Sequence, residues 1–125
     1  MQTDPLKDLE KEHSIPDLWK DSVARVVKEL SNGNFELTDV GRNVSLQSTD
    51  LATVNSNNLR DYGCTLIPLL EQTWESSRTQ WMGEYWEITI DLCTTEEGIS
   101  DLILTGRVYQ STSGFEYEIG LIYVP

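Results

Sequence analysis

The sequence predicts an α+β fold in which an N-terminal helix packs on an antiparallel sheet that ends in a three-stranded meander. Three observations predict this class: one apolar stripe at helical spacing, three strand-like segments near the C-terminus, and turn residues between those segments. With 125 residues, 38% of them hydrophobic, and no repeat or low-complexity tract, the chain fits one domain that buries its own core. We expect a polar N-terminal arm, loose or marginally helical, at residues 1–13, and a single domain at 14–125.

The segment SIPDLWKDSVARVVKELSNG carries the strongest helix signal in the chain. Ser14 is predicted to cap the helix, and Pro16 suits a first turn. Gly33 offers a left-handed residue that ends the helix. One face collects the large apolar residues, which predicts that this face docks on a sheet; its members are Trp19, Val23, Val26, Val27 and Leu30.

The middle of the chain gives weaker signals. FELTDVGRNVSLQ alternates apolar and polar residues around Val40 and Gly41, which predicts a weak hairpin. TDLATVNSNNLRDYG predicts a short helix that ends at Gly63, and CTLIPLL predicts an extended edge segment because Pro68 cannot donate to a central strand. EQTWESSRTQWMGE is ambiguous between helix and strand.

The C-terminal segments YWEITIDLC, DLILTGRVYQ and FEYEIGLIYVP predict the meander. A three-residue loop, Glu96-Glu97-Gly98, would place Gly98 at a left-handed position and pair Leu92 with Leu102. From this register and the loop at STSG, the further expected pairs are Ile90–Leu104, Ile88–Gly106, Trp86–Val108, Val108–Tyr117, Gly106–Ile119, Leu104–Leu121 and Leu102–Tyr123.

The opposite face of the meander is predicted to be mostly polar. Arg107 falls between Glu87 and Glu118 in this register, which predicts a cross-strand charge triad. The acidic stretch TTEEGISDL therefore indicates a turn rather than a catalytic site. Apolar residues also fall on this face, so either Trp74 or Trp81 covers it or it binds a partner; the candidate partner surface is Tyr85, Tyr109, Asp91, Glu96, Glu97, Asp101, Ile103 and Ile122.

A formal charge of −12 and a pI near 4.2 argue against nucleic acid and anionic membranes as partners, because both attract clustered Lys and Arg. The acidity fits either simple solubility or electrostatic capture of a basic protein. The chain has no apolar run of membrane-spanning length, and its first residues lack the apolar core of a signal peptide, so we expect a cytoplasmic protein.

The sequence offers little catalytic apparatus. Its one histidine, His13, lies in the arm, and Cys64 and Cys93 have no motif spacing, so a nucleophilic triad, a redox pair and structural zinc are not expected. We expect no cofactor, and the prediction leans away from an enzyme. A carboxylate-pair or divalent-cation site stays an alternative at Asp91, Glu96, Glu97 and Asp101, although no cation-binding loop motif is present.

The stretch YWEITIDLCTTEEGISDLILTGRVYQ, followed by YEIGLIYVP, resembles a family of small bacterial domains of unknown function. The resemblance consists of a Trp-rich strand, an acidic EEG-S-D hairpin and a Val-Pro ending. It implies a bacterial, cytoplasmic origin and no catalytic residue.

The leading hypothesis is a non-enzymatic acidic binding protein, for example an immunity-type or regulatory partner of a basic protein. Two alternatives stay open. One is a small enzyme or ligand-binding domain with a pocket between helix and sheet around Gly106; the other is an architectural homodimer formed through the open face of the sheet.

Overall fold

The computed structural model describes residues 5–125 and confirms the α+β class. The elements in chain order are β1 (His13–Ser14), α1 (Asp17–Ser31), β2 (Val44–Leu46), α2 (Leu51–Tyr62), β3 (Leu66–Ile67), α3 (Thr73–Ser76), β4 (Arg78–Trp81), β5 (Trp86–Thr94), β6 (Gly98–Ser111) and β7 (Gly114–Tyr123). The strands form one seven-stranded sheet with the order β1-β4-β5-β6-β7-β2, and β3 pairs with the second half of β5.

Helix α1 buries the predicted apolar stripe, from Trp19 to Leu30, against one face of the sheet. The prediction that Ser14 caps it is wrong, because Ser14 pairs with Arg78 as part of β1 and Pro16 takes the N-cap position. Gly33 is left-handed (φ 90°), as expected at a helix end. We call the face of the sheet under α1 the core face.

The hairpin predicted around Val40 and Gly41 does not form. The chain instead turns through two left-handed residues, Leu37 (φ 57°) and Asp39 (φ 64°), and then joins β7 as the parallel strand β2. Leu37 and Val40 are both buried in the core. The apolar alternation therefore reflects a loop that plugs the core rather than two paired strands.

Helix α2 ends at the left-handed Gly63, as predicted, and completes the outer edge of β7. The buried Asn55 side chain donates to the Gly120 carbonyl oxygen at 3.0 Å and accepts from the Ile122 backbone N–H at 2.8 Å. Asn58 donates to the Ile122 carbonyl oxygen. Two amide side chains thus take the place of a further strand, which keeps this edge from pairing with another chain.

The opposite edge of β5 is covered by the segment that was ambiguous in sequence. As predicted for the extended piece before Pro68, β3 lies at an edge, pairing with Cys93 and Thr94 of β5. Beyond it, α3 lies beside Asp91, and β4 pairs with the first half of β5. The segment is therefore part helix and part strand.

The first hairpin of the meander confirms Ile90–Leu104, Ile88–Gly106 and Trp86–Val108 as cross-strand pairs. Its tip differs from the prediction, because an irregularity between Asp91 and Cys93 lets Cys93 pair with Ile99. The predicted Leu92–Leu102 pair is therefore absent. Gly98 is left-handed (φ 72°), as expected, although it begins β6 and pairs with Thr94.

The second hairpin confirms Val108–Tyr117 and Gly106–Ile119 and then departs from the expected register at a bulge. The Thr105 hydroxyl donates to the Leu121 carbonyl oxygen and accepts from the Leu121 N–H, both at 3.0 Å. Leu104 consequently pairs with Ile122 rather than Leu121, and Ile103 with Tyr123. This shift turns Leu121 away from the core and buries Ile122 completely.

Around Trp86 the core face carries an aromatic cluster. The Trp86 ring centroid lies 5.4 Å from that of Trp19 and 4.6 Å from that of Trp81. The hollow predicted over Gly106 is filled, because a Cβ added there would lie 3.3 Å from Ile88 Cγ1 and 3.0 Å from the Glu118 carbonyl oxygen. Glycine suits this position because the neighbouring atoms leave little room for a side chain.

Candidate functional site

The second face of the sheet, which we call the outer face, is formed by the alternate residues that point away from α1. Cross-strand pairs share a face, so the register and the burial pattern assign each residue to one side. Its members are Tyr85, Glu87, Thr89, Asp91, Asp101, Ile103, Thr105, Arg107, Tyr109, Glu116, Glu118, Leu121 and Tyr123.

The predicted covers of this face lie elsewhere. Trp81 is partly buried against Trp86 on the core face, and Trp74 packs against the core cluster with Lys20 above its ring at 5.6 Å. Among the described residues, the main neighbour over the middle of the outer face is Gln47, beside Gly120. The tyrosines of the outer face are therefore half-exposed.

Tyr85, Tyr109 and Arg107 form a stack at one end of the outer face. The two tyrosine ring centroids are 5.5 Å apart, and the Arg107 guanidinium carbon lies 4.6 Å from the Tyr85 centroid. At this distance the guanidinium makes a cation–π contact with the Tyr85 ring. The sequence correctly placed both tyrosines together.

The predicted charge triad has the right register and the wrong contact. Glu87 and Glu118 do pair with Arg107 across the strands. In the described residues, however, the ion pairs within 4 Å are Asp8–His13 and Asp17–Lys20, and neither involves the outer face. Arg107 contacts the Tyr85 ring instead. The carboxylates of Glu87 and Glu118 therefore have no ion-pair partner among the described residues.

Below this stack the middle of the face is a shallow depression of about 330 Å³. Thr89 and Thr105 lie side by side on its floor, and Leu121, Tyr123 and Glu87 rise around it. Small residues between larger ones leave room for a side chain from a partner. Sequence reasoning missed Leu121 and Tyr123, because the bulge at Thr105 has no signal in the alternation of the strands.

Glu96 and Glu97, expected at a free hairpin tip, hold the connection between α2 and β3. Glu96 Oε1 accepts from the Thr65 backbone N–H at 2.9 Å, and this bond lowers the pKa of the Glu96 carboxyl. Tyr62 donates its hydroxyl to Glu97, which raises the pKa of that phenol. Both carboxylates remain exposed, so their place on a partner surface is still a prediction.

The remaining candidate residues are divided between the two faces. Asp91 lies on the outer face and accepts from the Ser76 hydroxyl, and Asp101 is exposed on β6. Ile103 faces outward but is only 8% exposed. Ile122 is 0% exposed on the core face, so its assignment to the partner surface is wrong; the bulge moved it inward.

Few groups of the described residues suit catalysis. The His13 Nε2 atom lies 2.9 Å from Asp8 Oδ2 in the N-terminal segment, away from the outer face. Burial raises the pKa of the Cys64 thiol, and the nearby Glu96 and Glu97 charges act in the same direction, which disfavours a reactive thiolate. Within residues 5–125 no group of three or more His, Cys, Asp or Glu side chains is arranged to hold a metal ion.

Comparisons with known proteins give one match. Neither a curated protein nor a solved structure matches the chain. None of the helices in residues 5–125 has the length and apolar character needed to cross a membrane. A family model described as "Domain of unknown function (DUF7668)" matches residues 27–125, which include the whole meander and both hairpins. The chain therefore belongs to this family of domains of unknown function.

Proposed function

We propose that this chain is a non-enzymatic acidic protein that binds a basic protein through the outer face of its sheet. One observation carries the proposal: Glu87 and Glu118 lie beside the half-exposed Tyr85–Tyr109 stack and have no ion-pair partner among residues 5–125, although Arg107 stands between them in register. An immunity-type or other regulatory role fits such a protein. The proposal also includes a bacterial, cytoplasmic setting, which rests on the resemblance of the C-terminal half.

Electrostatics favour a cationic partner. The chain carries a formal charge of −12, and the outer face has five carboxylates for one guanidinium among the strand residues β5 to β7. Complementary charge of this kind raises the association rate and excludes acidic competitors. It also argues against nucleic acid and anionic lipid as partners.

The tyrosines and the depression supply the contacts that charge alone does not. Tyrosine is enriched among residues that dominate binding energy, because its ring buries a large area while its hydroxyl stays paired. The Arg107 guanidinium packs against the Tyr85 ring, and a side chain that is already packed loses less entropy on binding. The depression over Thr89 and Thr105 can receive one basic side chain between Glu87 and Tyr123.

The homodimer alternative is less well supported by these charges. Two copies that met through the outer face would bury five carboxylates and one guanidinium from each copy in the same interface. Placing like charges together in an interface costs roughly several kcal/mol of binding free energy, because the charges lose their water without gaining a partner of opposite charge. The pocket alternative loses its main support, because Ile88 fills the space at Gly106.

Site-specific photo-crosslinking tests the proposal. A photo-reactive phenylalanine derivative replaces Tyr109 in one variant and Asp21, on the exposed side of α1, in a matched variant. Each is irradiated in a lysate of the source cells, and the crosslinked proteins are identified by mass. The identified protein is then titrated against the purified chain and its Tyr85→Ala/Tyr109→Ala variant.

The expected result is one basic protein that crosslinks at position 109 and not at position 21. Its affinity for the tyrosine variant should fall at least about tenfold, the loss typical of two interface anchors. A crosslinked protein of acidic or neutral charge, or equal crosslinking at both positions, contradicts the proposal. Crosslinking to a second copy of the chain supports the homodimer instead.

A further inference from the structure

The segment before β1 is attached to the aromatic cluster of the core. We call residues 5–12 the N-terminal strap. Trp86 Nε1 donates to the Leu6 carbonyl oxygen at 2.9 Å, and Gln80 Nε2 donates to the Leu9 carbonyl oxygen at 3.0 Å. Between these two bonds the Lys7 ammonium lies 5.1 Å from the Trp81 ring centroid and 5.8 Å from that of Trp86.

The strap is attached without burying its own apolar residues. Leu6 is 58% exposed and Leu9 is 63% exposed. The contacts of residues 5–12 with the sheet are therefore mainly polar: two hydrogen bonds, the Lys7 ammonium over two indole rings, and the Asp8 carboxylate paired with His13 of β1. Segments with few buried apolar contacts open at low free-energy cost, so the strap can leave the aromatic cluster while the rest of the fold stays intact.

These contacts show what the site recognises. Both hydrogen bonds go to main-chain carbonyl oxygens, which every residue offers, and the two acceptor residues are three positions apart in a segment that is neither helix nor strand. The strap side chain that contacts the two indole rings is a cation, Lys7, whereas the Asp8 side chain pairs with His13 of β1. An extended peptide with one Lys or Arg at the right position meets the same requirements.

We infer that the Trp81–Trp86 site binds a lysine- or arginine-bearing extended segment of a partner protein, and that Lys7 occupies this site in the free chain as an internal competitor. The strap is thus an autoinhibitory contact. Next to it lies a cavity of about 400 Å³ with Pro5 and Leu6 on one side and Ile15 and Pro16 on the other, where a residue beside the cation has room.

The matched range of the family model begins within α1, after the strap. It covers residues 27–125, so Gln80, Trp81 and Trp86 belong to the family domain, whereas the strap that covers them lies outside the match. The inference takes the basic partner from the proposed function but uses a different surface. The Trp81–Trp86 site can therefore fail its test while the outer face still binds a partner. Equally, the outer face can fail its test while the Trp81–Trp86 site binds the peptide.

The test is a nuclear magnetic resonance titration of the full ¹⁵N-labelled chain with a synthetic peptide. The peptide copies PLKDLEKE, residues 5–12, with its three acidic residues replaced by lysine. The signals followed are the backbone amides of Leu6 to Leu9 and the indole N–H groups of Trp81 and Trp86. Dissociation constants are measured for the wild type, Lys7→Ala, and the matched control Lys11→Ala, which makes the same charge change.

The expected result is that the peptide moves the strap amides toward the positions of an unfolded chain and shifts both indole signals. Lys7→Ala should bind the peptide about two- to fivefold more tightly than Lys11→Ala, since one exposed cation–ring contact has been removed from the competitor. Trp81→Leu, which keeps an apolar side chain against Trp86, should weaken binding several-fold.

Three outcomes overturn the inference. One is unchanged strap amides while signals of Tyr109 and Arg107 move, which places all binding on the outer face. Another is an equal effect of Lys7→Ala and Lys11→Ala, which leaves only net charge. The third is no binding of the peptide to the Lys7→Ala variant.

Discussion

The two faces of the sheet have opposite properties although they alternate along the same three strands. The core face is almost wholly apolar, is covered by α1 and contains the Trp19–Trp86 cluster. The outer face has half-exposed tyrosines and carboxylates that form no ion pair in the described structure. One face thus buries the apolar residues that stabilise the fold, and stability places few demands on the side chains of the other face.

The largest effect should come from two leucines that the bulge at Thr105 separates. Leu104 is fully buried on the core face, and Leu121 is half-exposed on the outer face. Leu104→Ala should lower the free energy of unfolding by about 2–5 kcal/mol, because it leaves a cavity. Leu121→Ala should lower it by about 1 kcal/mol or less. Urea denaturation measures both, and equal losses would contradict the assignment of faces.

The edge of β7 offers a second comparison between two asparagines of α2. Asn55→Ala removes two buried hydrogen bonds and leaves the backbone of Gly120 and Ile122 unpaired, so it should cost about 2–3 kcal/mol. Asn57, which accepts only from Arg60 at the surface, is the matched control, and its replacement by alanine should cost below about 0.5 kcal/mol. If thermal unfolding shows the same stability for both variants, Asn55 does not hold the edge.

The outer face should contain one residue with a structural duty. Thr105→Val keeps the shape of the side chain but removes both hydrogen bonds to Leu121, so it should destabilise the fold by about 1–2 kcal/mol. Thr89→Val, at the paired position on β5, should change stability by less than about 0.5 kcal/mol. A larger loss for Thr89→Val would show that the outer face is not as free of structural demands as the comparison requires.

The smallest expected effect is the loss of a stabilising contribution from Glu96 at low pH. The hydrogen bond from Thr65 lowers the folded-state pKa of Glu96, so the stabilising contribution is present above the unfolded-state pKa and is lost as pH falls through the folded-state value. The Thr65 amide signal should follow this titration with a midpoint below the usual range of a glutamate. In Glu96→Gln the same signal should not titrate. A midpoint at or above the ordinary value would contradict the bond.

Local patterns predicted the parts of the fold that local physics decides. The stripe from Trp19 to Leu30, the stop at Gly63 and the central pairs of both hairpins follow from spacing and turn residues alone. The bulge at Thr105 depends on a hydroxyl that bonds both groups of one backbone residue, which no alternation pattern encodes. The parallel pairing of β2 with β7 joins segments far apart in sequence, and the apolar loop before β2 resembled a hairpin.

The candidate site was predicted in composition and only partly in geometry. Tyr85 and Tyr109 meet as expected, because they flank a paired stretch of β5 and β6. The side-chain rotamer of Arg107 determines whether its guanidinium contacts the Tyr85 ring or the two glutamates, and the sequence does not reveal that rotamer. The contact of Lys7 with Trp81 was missed for a similar reason, since it joins an arm without a periodic pattern to a distant strand.

The affinity of the crosslinked basic protein for two charge variants tests most directly whether the outer face is the binding surface. Glu87→Gln/Glu118→Gln removes two carboxylates from the outer face, whereas Asp21→Asn/Glu36→Gln removes two from α1 and the loop after it. We predict unchanged stability for both, a loss of affinity of about tenfold or more for the first, and a weaker dependence of its affinity on salt. Equal losses for the two variants, or a loss confined to the second, would contradict the claim that the outer face is the binding surface.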